Sequence, residues 1–334
     1  MTVIEEILLK KILVLDGAMG TMLQDYKFSE EDFRGDRFVN HPCSLKGNND
    51  LLSLTQPEAI KTVHRKYFEV GADIVETNTF SSTSIGMGDY QMEPWVYEMN
   101  FESAKLARQV ADEFTKKNPD KPRFVAGSIG PTNRTASMSP DVNDPGYRAV
   151  TFDELLVSYT EQVQGLVDGG SDVLLVETIF DTLNAKAALF AIDALKEKNN
   201  WNVPVMVSGT ITDASGRTLS GQTVEAFVVS VSHIPLLSIG FNCALGADQL
   251  LPYLRRLSQI TEINTSAHPN AGLPNAFGSY DQSPKEMGDL IEKYLEENLV
   301  NIVGGCCGST PDHIAQIARV VRNYKPRKTE LKIL

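Results

Sequence analysis

The fold of this chain is indicated most clearly by one stretch near its end, Leu299-Val300-Asn301-Ile302-Val303-Gly304-Gly305-Cys306-Cys307-Gly308-Ser309-Thr310-Pro311. Its first five residues are apolar apart from one asparagine, which predicts a short buried strand. Its last two predict a helix start, because threonine is a good N-cap and proline suits the first helical position. Two cysteines therefore lie at a corner between a strand and a helix, in a chain with only four cysteines.

The same order of strand, turn and helix repeats eight times along the chain. Clear helical patterns occur at 57–70, 152–167, 183–195 and 311–321. Short, nearly continuous apolar strands alternating with helices are typical of a parallel sheet covered on both faces. This pattern predicts a single-domain (β/α)8 TIM barrel, with a doubly wound open sheet as the alternative. The predicted strands are 12–15, 73–76, 123–126, 172–176, 203–207, 237–241, 263–266 and 301–303.

Long polar segments follow some of these strands and precede the helices, at 17–56, 127–150 and 209–222. In barrel enzymes the loops after the strands form the active face. Polar residues at the strand ends are therefore the candidate site residues. They are Asp16, Glu76, Asn78, Ser128, Glu177, Ser208, Thr210, Cys243, His268, Asn270, Cys306 and Cys307.

The cysteine pair predicts a metal site. Neighbouring side chains of a regular strand point to opposite faces, so the flanking glycines are needed if Cys306 and Cys307 are to share one ligand. Thiolates hold zinc tetrahedrally, and a catalytic zinc usually has three protein ligands and one open position. Cys243 is the expected third ligand, because it also follows a short apolar strand. Cys43 is expected to be an ordinary core cysteine.

Two other interpretations of the clustered cysteines stay open at this point. Free cysteines are often small core residues, although core packing does not require glycines on both sides of a pair. A disulfide between adjacent cysteines is the second alternative. It is disfavoured, because the first 15 residues have short apolar runs broken by charges and show no export signal, which predicts a reducing, cytoplasmic location.

Two carboxylates are candidate substrate contacts. Asp16 precedes Gly17 in a glycine-spaced turn whose backbone N–H groups can face an anion, and Glu177 ends another predicted strand. Together with Asn78 on the same rim, they would suit the ammonium and carboxylate groups of an amino acid. The alternative is that Asp16 caps a turn and Glu177 pairs with a base. Glu76 carries less weight, since structural ion pairs are common at strand ends.

The histidines give weaker signals. His64 falls on the apolar side of a helical pattern and is expected to be a core histidine with satisfied ring nitrogens. His268 and Asn270 follow the seventh predicted strand, and both could reach the rim. Asn270 is a candidate displaceable ligand at the open zinc position.

The composition excludes several classes of protein. The chain has 334 residues and a formal net charge of -12, which disfavours nucleic-acid binding. No apolar run is long enough to suggest a membrane span. Neither Rossmann nor P-loop spacing occurs, and no predicted strand ends in the lysine that a Schiff-base aldolase requires.

The motifs together resemble the zinc-dependent homocysteine S-methyltransferase family, and within it the homocysteine-binding modules of cobalamin-dependent methionine synthases. Similar segments run from about residue 12 to residue 323. They are Asp16-Gly17-Ala18-Met19-Gly20-Thr21, Phe33-Arg34-Gly35, Leu45-Lys46-Gly47-Asn48-Asn49-Asp50, Glu76-Thr77-Asn78-Thr79-Phe80, Gly130-Pro131-Thr132-Asn133-Arg134-Thr135, Ser215-Gly216-Arg217-Thr218-Leu219-Ser220-Gly221-Gln222, Gly240-Phe241-Asn242-Cys243, Pro269-Asn270-Ala271-Gly272 and Gly304-Gly305-Cys306-Cys307-Gly308.

The resemblance implies a barrel in which Cys243, Cys306 and Cys307 hold zinc and the homocysteine thiol becomes the fourth ligand. Zinc deprotonates such a thiol and leaves its sulfur nucleophilic. The methyl group would come from methylcobalamin, and ultimately from 5-methyltetrahydrofolate, to give methionine. Asp16 and Glu177 match the positions expected to hold the substrate's ammonium group. Ala18 departs from the glycine of many relatives, which matters only if that backbone needs a positive φ.

The carboxyl-terminal end of the sequence leads to a prediction about partner modules. We expect the barrel to occupy residues 1–324 and a basic tail, 325–334, to be a truncated linker. The resemblance implies that cobalamin-binding and folate-binding modules lie on the same or a partner polypeptide. Two alternatives are a stand-alone methyltransferase that uses betaine or S-methylmethionine, and a non-catalytic barrel that stores zinc or senses redox state through its thiols.

Overall fold

The computed structural model describes residues 1–213 and 215–328, and these form a closed barrel of eight parallel strands. β1 pairs with β8 on one side and meets β2 through a bridge between Leu15 and Ile74 on the other. This closure confirms the predicted (β/α)8 barrel and excludes the open sheet. The strands are Leu13–Val14 (β1), Ile74–Glu76 (β2), Phe124–Ile129 (β3), Val173–Ile179 (β4), Val205–Gly209 (β5), Ser238–Gly246 (β6), Asn264–Asn270 (β7) and Ile302–Val303 (β8).

Helices follow every strand and surround the barrel. The helices predicted at 57–70 and 311–321 have the predicted bounds, and those predicted at 152–167 and 183–195 are slightly longer. The helices are Val3–Leu8 (α1), Met19–Gln24 (α2), Glu30–Arg34 (α3), Leu52–Thr55 (α4), Pro57–Val70 (α5), Ser84–Met87 (α6), Val96–Lys117 (α7), Phe152–Asp168 (α8), Thr182–Asn199 (α9), Val224–Val231 (α10), Ala247–Ile260 (α11), Pro284–Glu296 (α12) and Pro311–Val321 (α13).

Helix α5 shows why the sequence folds in this way. Pro57 supplies a pre-set φ at the first helical position, and Gly71 ends the helix with a φ of 120°. The apolar face is buried between these ends, and each large side chain on it contributes about 1.5–3 kcal/mol by leaving water. The buried residues of this face are Ile60, Val63, His64, Tyr67 and Phe68, as the sequence predicts.

The core has two layers. One lies between the outside of the sheet and the helices, and the other fills the inside of the barrel. The inner layer includes Leu13, Ile74, Leu175 and Met206, and α1 packs against it with Ile4 and Leu8. The lower end of the barrel is therefore filled with apolar side chains, and open space is left at the upper end, where the strands finish.

The lower end also contains a compensated buried charge. Asp73 precedes β2, is 2% exposed and accepts a hydrogen bond from the backbone N–H of Val14. Three cations surround its carboxylate: Lys11 Nζ at 2.7 Å, Lys121 Nζ at 3.6 Å and Arg123 Nη1 at 3.6 Å. These contacts hold the starts of neighbouring strands together.

The upper end is more structured than the sequence suggests. The segment after β1, expected to be a long polar loop, contains α2, α3, α4 and a 3-10 turn at Asn49–Leu51. The predicted tail, 325–334, lies only partly within the described residues. In its described part, Arg327 donates to the carbonyl oxygens of Ile263, Ser258 and Thr261 on the barrel. No helix in the described segments is long and apolar enough to cross a membrane.

Candidate metal centre and substrate cavity

Strand β6 brings Cys243 to the upper rim through an irregular bend. The prediction ended this strand before the cysteine, but it continues to Gly246. Cys243 and Ala244 have φ values of 60° and 57°, and the pairing with β7 shifts between Asn242 and Gly246. Non-glycine residues rarely adopt this left-handed conformation, so the bend requires support from its surroundings.

Cys306 and Cys307 follow β8 at the predicted corner before α13. The strand stops at Val303, and Gly308 turns the chain with a φ of 77°. A side chain at position 308 would overlap Tyr280, so the turn needs glycine for space as well as for its conformation. Because the backbone has left strand geometry, the two neighbouring thiols no longer point to opposite faces.

The three thiols form one cluster. The Sγ atoms of Cys243, Cys306 and Cys307 all lie within 4.8 Å of one another, and those of Cys243 and Cys307 are 3.7 Å apart. Zinc–sulfur bonds of about 2.3 Å in a tetrahedron place sulfur atoms about 3.8 Å apart. The cluster also lines an open cavity. Three soft donors with one open side fit a zinc ion with an exchangeable fourth position.

The thiols also share hydrogen bonds. Contacts from Cys243 and Cys306 hold the pKa of Cys307 well below that of an ordinary thiol, and the same sharing raises the pKa of Cys306. One thiolate is therefore stabilised by its neighbours even before a metal binds. Such a group attracts a soft cation.

The cavity beside the cysteines has a volume of about 830 Å³ and contains acidic but no basic side chains. Asp50, Glu76, Asp89 and Glu177 line it, while no Lys, Arg or His does so in the described parts of the chain. Burial raises the pKa of Asp50 to about 6, although hydrogen bonds from the Ser81 N–H and the Ser82 hydroxyl act to lower it. The cavity therefore favours cationic or neutral ligands.

Two buried carboxyls, Asp16 and Glu177, meet the half-buried Glu76 next to the thiols. Asp16 accepts a hydrogen bond from the backbone N–H of Glu76 at 3.1 Å, and its other oxygen has no partner in the described residues. Glu177 accepts from the Ser128 hydroxyl at 2.6 Å. Burial raises the pKa of Glu177 to about 7, and burial together with mutual repulsion raises those of Asp16 and Glu76. This group would bind an ammonium ion.

The sequence profile of one family, described as homocysteine S-methyltransferase, matches residues 13–321. This span covers most of the chain and includes the three clustered cysteines. The chain belongs to the homocysteine S-methyltransferase family.

Solved structures of one enzyme share the fold of this methyltransferase. The oxidized form of homocysteine methyltransferase MmuM from Escherichia coli superposes with a TM-score of 0.72 at 21% identity, covering 92% of this chain and 95% of that one. The metallated form gives 0.71 at 22% identity, covering 92% and 96%. The apo form gives 0.67 at 22% identity, covering 93% and 96%. At this identity the likeness establishes a common fold.

Several other predicted site residues of the methyltransferase lie near this centre. Gly17 and Asn78 line the cavity, although the Asn78 amide donates to the Asn49 carbonyl oxygen and to Ser53 Oγ. Asn270 is buried, and its Oδ1 has no partner within the described segments. Ala18 has a φ of -64°, so its side chain causes no strain. The roles of Gly17, Asn78 and Asn270 stay predictions.

Three expectations need correction. Cys43 is half-buried, not a core residue, and its thiol donates to the Tyr90 carbonyl oxygen at 3.1 Å. His64 is buried as expected, but neither ring nitrogen has a partner in the described chain, and burial lowers its pKa to about 3. Glu76 forms no ion pair among the described residues and faces the cavity instead. Its two acidic neighbours come from other strands, and its role as a site residue stays a prediction.

His268 does not face the cavity. The residue is 1% exposed within β7, and burial lowers its pKa to about 4. Its Nε2 has no partner in the described residues. His268 is therefore a neutral core histidine in this structure.

Proposed function

We propose that this chain transfers a methyl group to the sulfur of homocysteine in a zinc-dependent reaction, with methylcobalamin as the donor and methionine as the product. The observation that carries the proposal is the convergence of three cysteine thiols, two of them 3.7 Å apart, on the wall of an acidic cavity. E. coli MmuM, which shares the fold, has been solved in a metallated form, and this supports a metal in the proposed reaction.

In this proposal Cys243, Cys306 and Cys307 hold the zinc. When bound, zinc would deprotonate the homocysteine thiol at neutral pH and keep its sulfur nucleophilic. The cysteines' spacing leaves the cavity side of the cluster open, so the substrate's sulfur can approach there. Asn270 stays a candidate for the fourth position before substrate arrives.

The carboxyls and the backbone would orient the substrate. Glu177 lines the cavity where the ammonium group is expected, whereas Asp16 is not among the lining residues and would act through its charge. The positive charge of the ammonium group would compensate the burial of both carboxyls. Because no basic side chain of the described chain lines the cavity, the substrate's carboxylate would rely on backbone N–H groups after Gly17. The reaction then forms a bond between sulfur and the methyl carbon. The bond from the methyl group to its donor breaks, and the electron pair stays with the donor.

The charge of the cavity and the sequence of the polar loops favour methylcobalamin as the methyl donor. An acidic cavity without cations is a poor site for the carboxylates of a folate, so methyltetrahydrofolate would bind elsewhere and supply the methyl group through cobalamin. The long polar loops resemble those of cobalamin-dependent synthases, whose cobalamin-binding and folate-binding modules would be partners. A cytoplasmic location would keep the thiols reduced. The same acidic lining also favours a second candidate, transfer from a small molecule with a positively charged methyl-bearing centre, the quaternary ammonium of betaine or the sulfonium of S-methylmethionine.

The test incubates the purified protein with homocysteine and one donor at a time, with and without a zinc chelator, and measures methionine. We expect product from methylcobalamin and a loss on the order of 1,000-fold with chelator, because zinc activation is worth several kcal/mol. Cys306→Ala should lose both zinc and activity, whereas Cys43→Ala, which alters the cysteine outside the cluster, should keep both.

Three outcomes contradict the proposal in different ways. Turnover that is insensitive to the chelator would exclude the zinc mechanism. Turnover with betaine or S-methylmethionine alone would favour the second donor class. Tight zinc binding without product from any donor would favour a non-catalytic zinc or thiol-sensing barrel.

A further inference from the structure

The side chain of Asn242 lies between the thiol cluster and the carboxyl group. It is fully buried at the bend of β6, one residue before Cys243. Its Nδ2 lies 3.3 Å from Glu177 Oε2 and 3.8 Å from Cys306 Sγ. A single amide therefore reaches both a predicted zinc ligand and a predicted substrate contact.

The same amide supports the strained bends of two strands. Its Oδ1 accepts hydrogen bonds from the Thr178 N–H at 2.9 Å and from the Ser208 hydroxyl at 2.7 Å. Its Nδ2 donates to Thr178 Oγ1 at 2.8 Å. Thr178 has a φ of 53°, and Cys243 next to Asn242 has a φ of 60°. Asn242 thus fixes β4 and β6 where each leaves regular geometry.

The amide nitrogen of Asn242 has more possible acceptors around it than hydrogens to donate. An amide nitrogen carries two hydrogens, and here it faces three acceptors, on Thr178, Glu177 and Cys306. Thr178 is the nearest acceptor and takes one hydrogen. The second hydrogen lies between the Glu177 carboxylate and the Cys306 sulfur, so the two compete for it.

We propose that Asn242 is a positioning residue that connects substrate binding to the metal centre. This inference rests on the proposed function. When a substrate ammonium group occupies Glu177, the second amide hydrogen becomes available to the Cys306 thiolate. A hydrogen bond to a ligating thiolate lowers the electron density that its sulfur gives to the metal, as partners outside the ligand set commonly do. Binding of the head group thereby tunes the centre that holds the substrate's sulfur.

Two variants separate this role from simple support of the fold. Asn242→Asp keeps an oxygen that can accept from Thr178 and Ser208, but it has no N–H to give to Cys306. Asn242→Ala removes both functions. The matched control is Asn301→Asp at the lower end of the barrel, where Asn301 is also buried and its Oδ1 accepts from the Thr265 N–H at 2.9 Å.

The experiment loads each protein with Co(II) in place of zinc and records the thiolate-to-cobalt charge-transfer absorption with and without homocysteine. We expect Asn242→Asp to shift the band of the homocysteine-bound protein to longer wavelength, because the sulfur lone pairs lose a stabilising N–H contact. Asn301→Asp should leave the band in place, even if it lowers the unfolding temperature. Competition with a chelating dye should show zinc binding about 10- to 100-fold weaker in Asn242→Ala.

The outcomes distinguish this inference from the proposed function. If the band of Asn242→Asp stays at the wild-type wavelength, the proposed role of Asn242 is wrong while the metal centre is unaffected. An equal shift in Asn301→Asp would have the same consequence. The absence of any thiolate-to-cobalt band in the wild-type protein would contradict the metal centre itself and overturn both proposals. In Asn242→Asp one carboxylate oxygen can still accept from the Thr178 N–H and the Ser208 hydroxyl, and the Thr178 hydroxyl can donate to the other oxygen. A purely structural role therefore predicts a normal band in that variant.

Discussion

Strand β2 has a carboxyl at each end, the buried Asp73 and the half-buried Glu76, and the two have opposite surroundings. Asp73, just before the strand, has three cationic neighbours and a backbone N–H donor. Glu76, at the strand's last position, faces Asp16 and Glu177 and forms no ion pair among the described residues. Only two residues, Ile74 and Val75, separate a compensated charge from an uncompensated one.

The difference separates structure from function within one barrel. Burying a carboxylate costs several kcal/mol unless opposite charges or hydrogen bonds replace water. At the lower end the chain supplies those partners itself. At the upper end it does not, so a ligand that brings a positive charge, such as an ammonium group or a metal ion, recovers the cost when it binds. The same reasoning predicts how substitutions at the two ends will differ.

The largest expected effect on stability is at the lower end. Asp73→Asn removes the only carboxylate beside Lys11, Lys121 and Arg123 that the described ion pairs show. We expect the free energy of unfolding to fall by about 3–5 kcal/mol, since breaking a buried pair leaves uncompensated charge. Denaturant titration measures this loss. The KM for homocysteine of the folded variant should be unchanged, and wild-type stability would contradict the comparison.

At the upper end, Asp50→Asn should change how stability depends on pH. The pKa of Asp50 is raised to about 6, so the folded chain binds its proton more tightly than the unfolded chain, where the pKa is about 3.9. This contribution to stability is complete below about pH 3.9 and is lost as pH rises through about 6. The variant should therefore lack a decrease on the order of 3 kcal/mol across that window.

Urea titrations of the metal-free protein at several pH values in this window would measure the effect of Asp50→Asn. Asp141→Asn, which alters an exposed carboxyl, is the matched control and should follow the wild-type curve. If unfolding free energy depends on pH in the same way for wild type and Asp50→Asn, the prediction is wrong. The hydrogen bonds from Ser81 and Ser82 then stabilise the Asp50 carboxylate enough to offset its burial.

The smallest of the three effects concerns the substrate. Glu177→Gln should raise the KM for homocysteine by about 10- to 100-fold, because a charged hydrogen bond to the ammonium group is worth about 1.5–3 kcal/mol. Its stability should not fall, since an uncompensated buried carboxyl is removed. Steady-state kinetics with Asp141→Asn as control, which alters an exposed carboxyl outside the cavity lining and should keep the wild-type KM for homocysteine, would check this. An unchanged KM in Glu177→Gln would remove Glu177 from the ammonium site.

Much of the fold was predictable because strand and helix periods are local properties. All eight predicted strands are confirmed, and α5 and α13 have the predicted bounds. The extension of β6 to Gly246 was missed, since it depends on left-handed conformations at Cys243 and Ala244 that neither residue type favours. Its support comes from the contact of Asn242 with Thr178, which lies 64 residues earlier in the sequence.

Most residues of the candidate site could be named from the sequence, but their spatial arrangement could not. Glycines around Cys306 and Cys307 indicated a shared ligand, and Cys243 followed from its place at a strand end. The surroundings of Glu76 were not predictable, because a single carboxyl in the sequence gives no sign of whether a cation will lie beside it. Asn242 was missed as a separate residue, since its importance comes from contacts with β4, β5 and the turn after β8.

The sequence by itself determined the eight strand–helix units, and therefore which polar residues stand at the ends of strands on one rim. Only the tertiary structure decided that three thiols lie within 4.8 Å of one another, that the buried Asp16 and Glu177 lie together with the half-buried Glu76, and that one amide reaches both groups. The reason is physical. Secondary structure follows from periodicity within a segment, whereas distances and uncompensated charge depend on which side chains the closed barrel brings together.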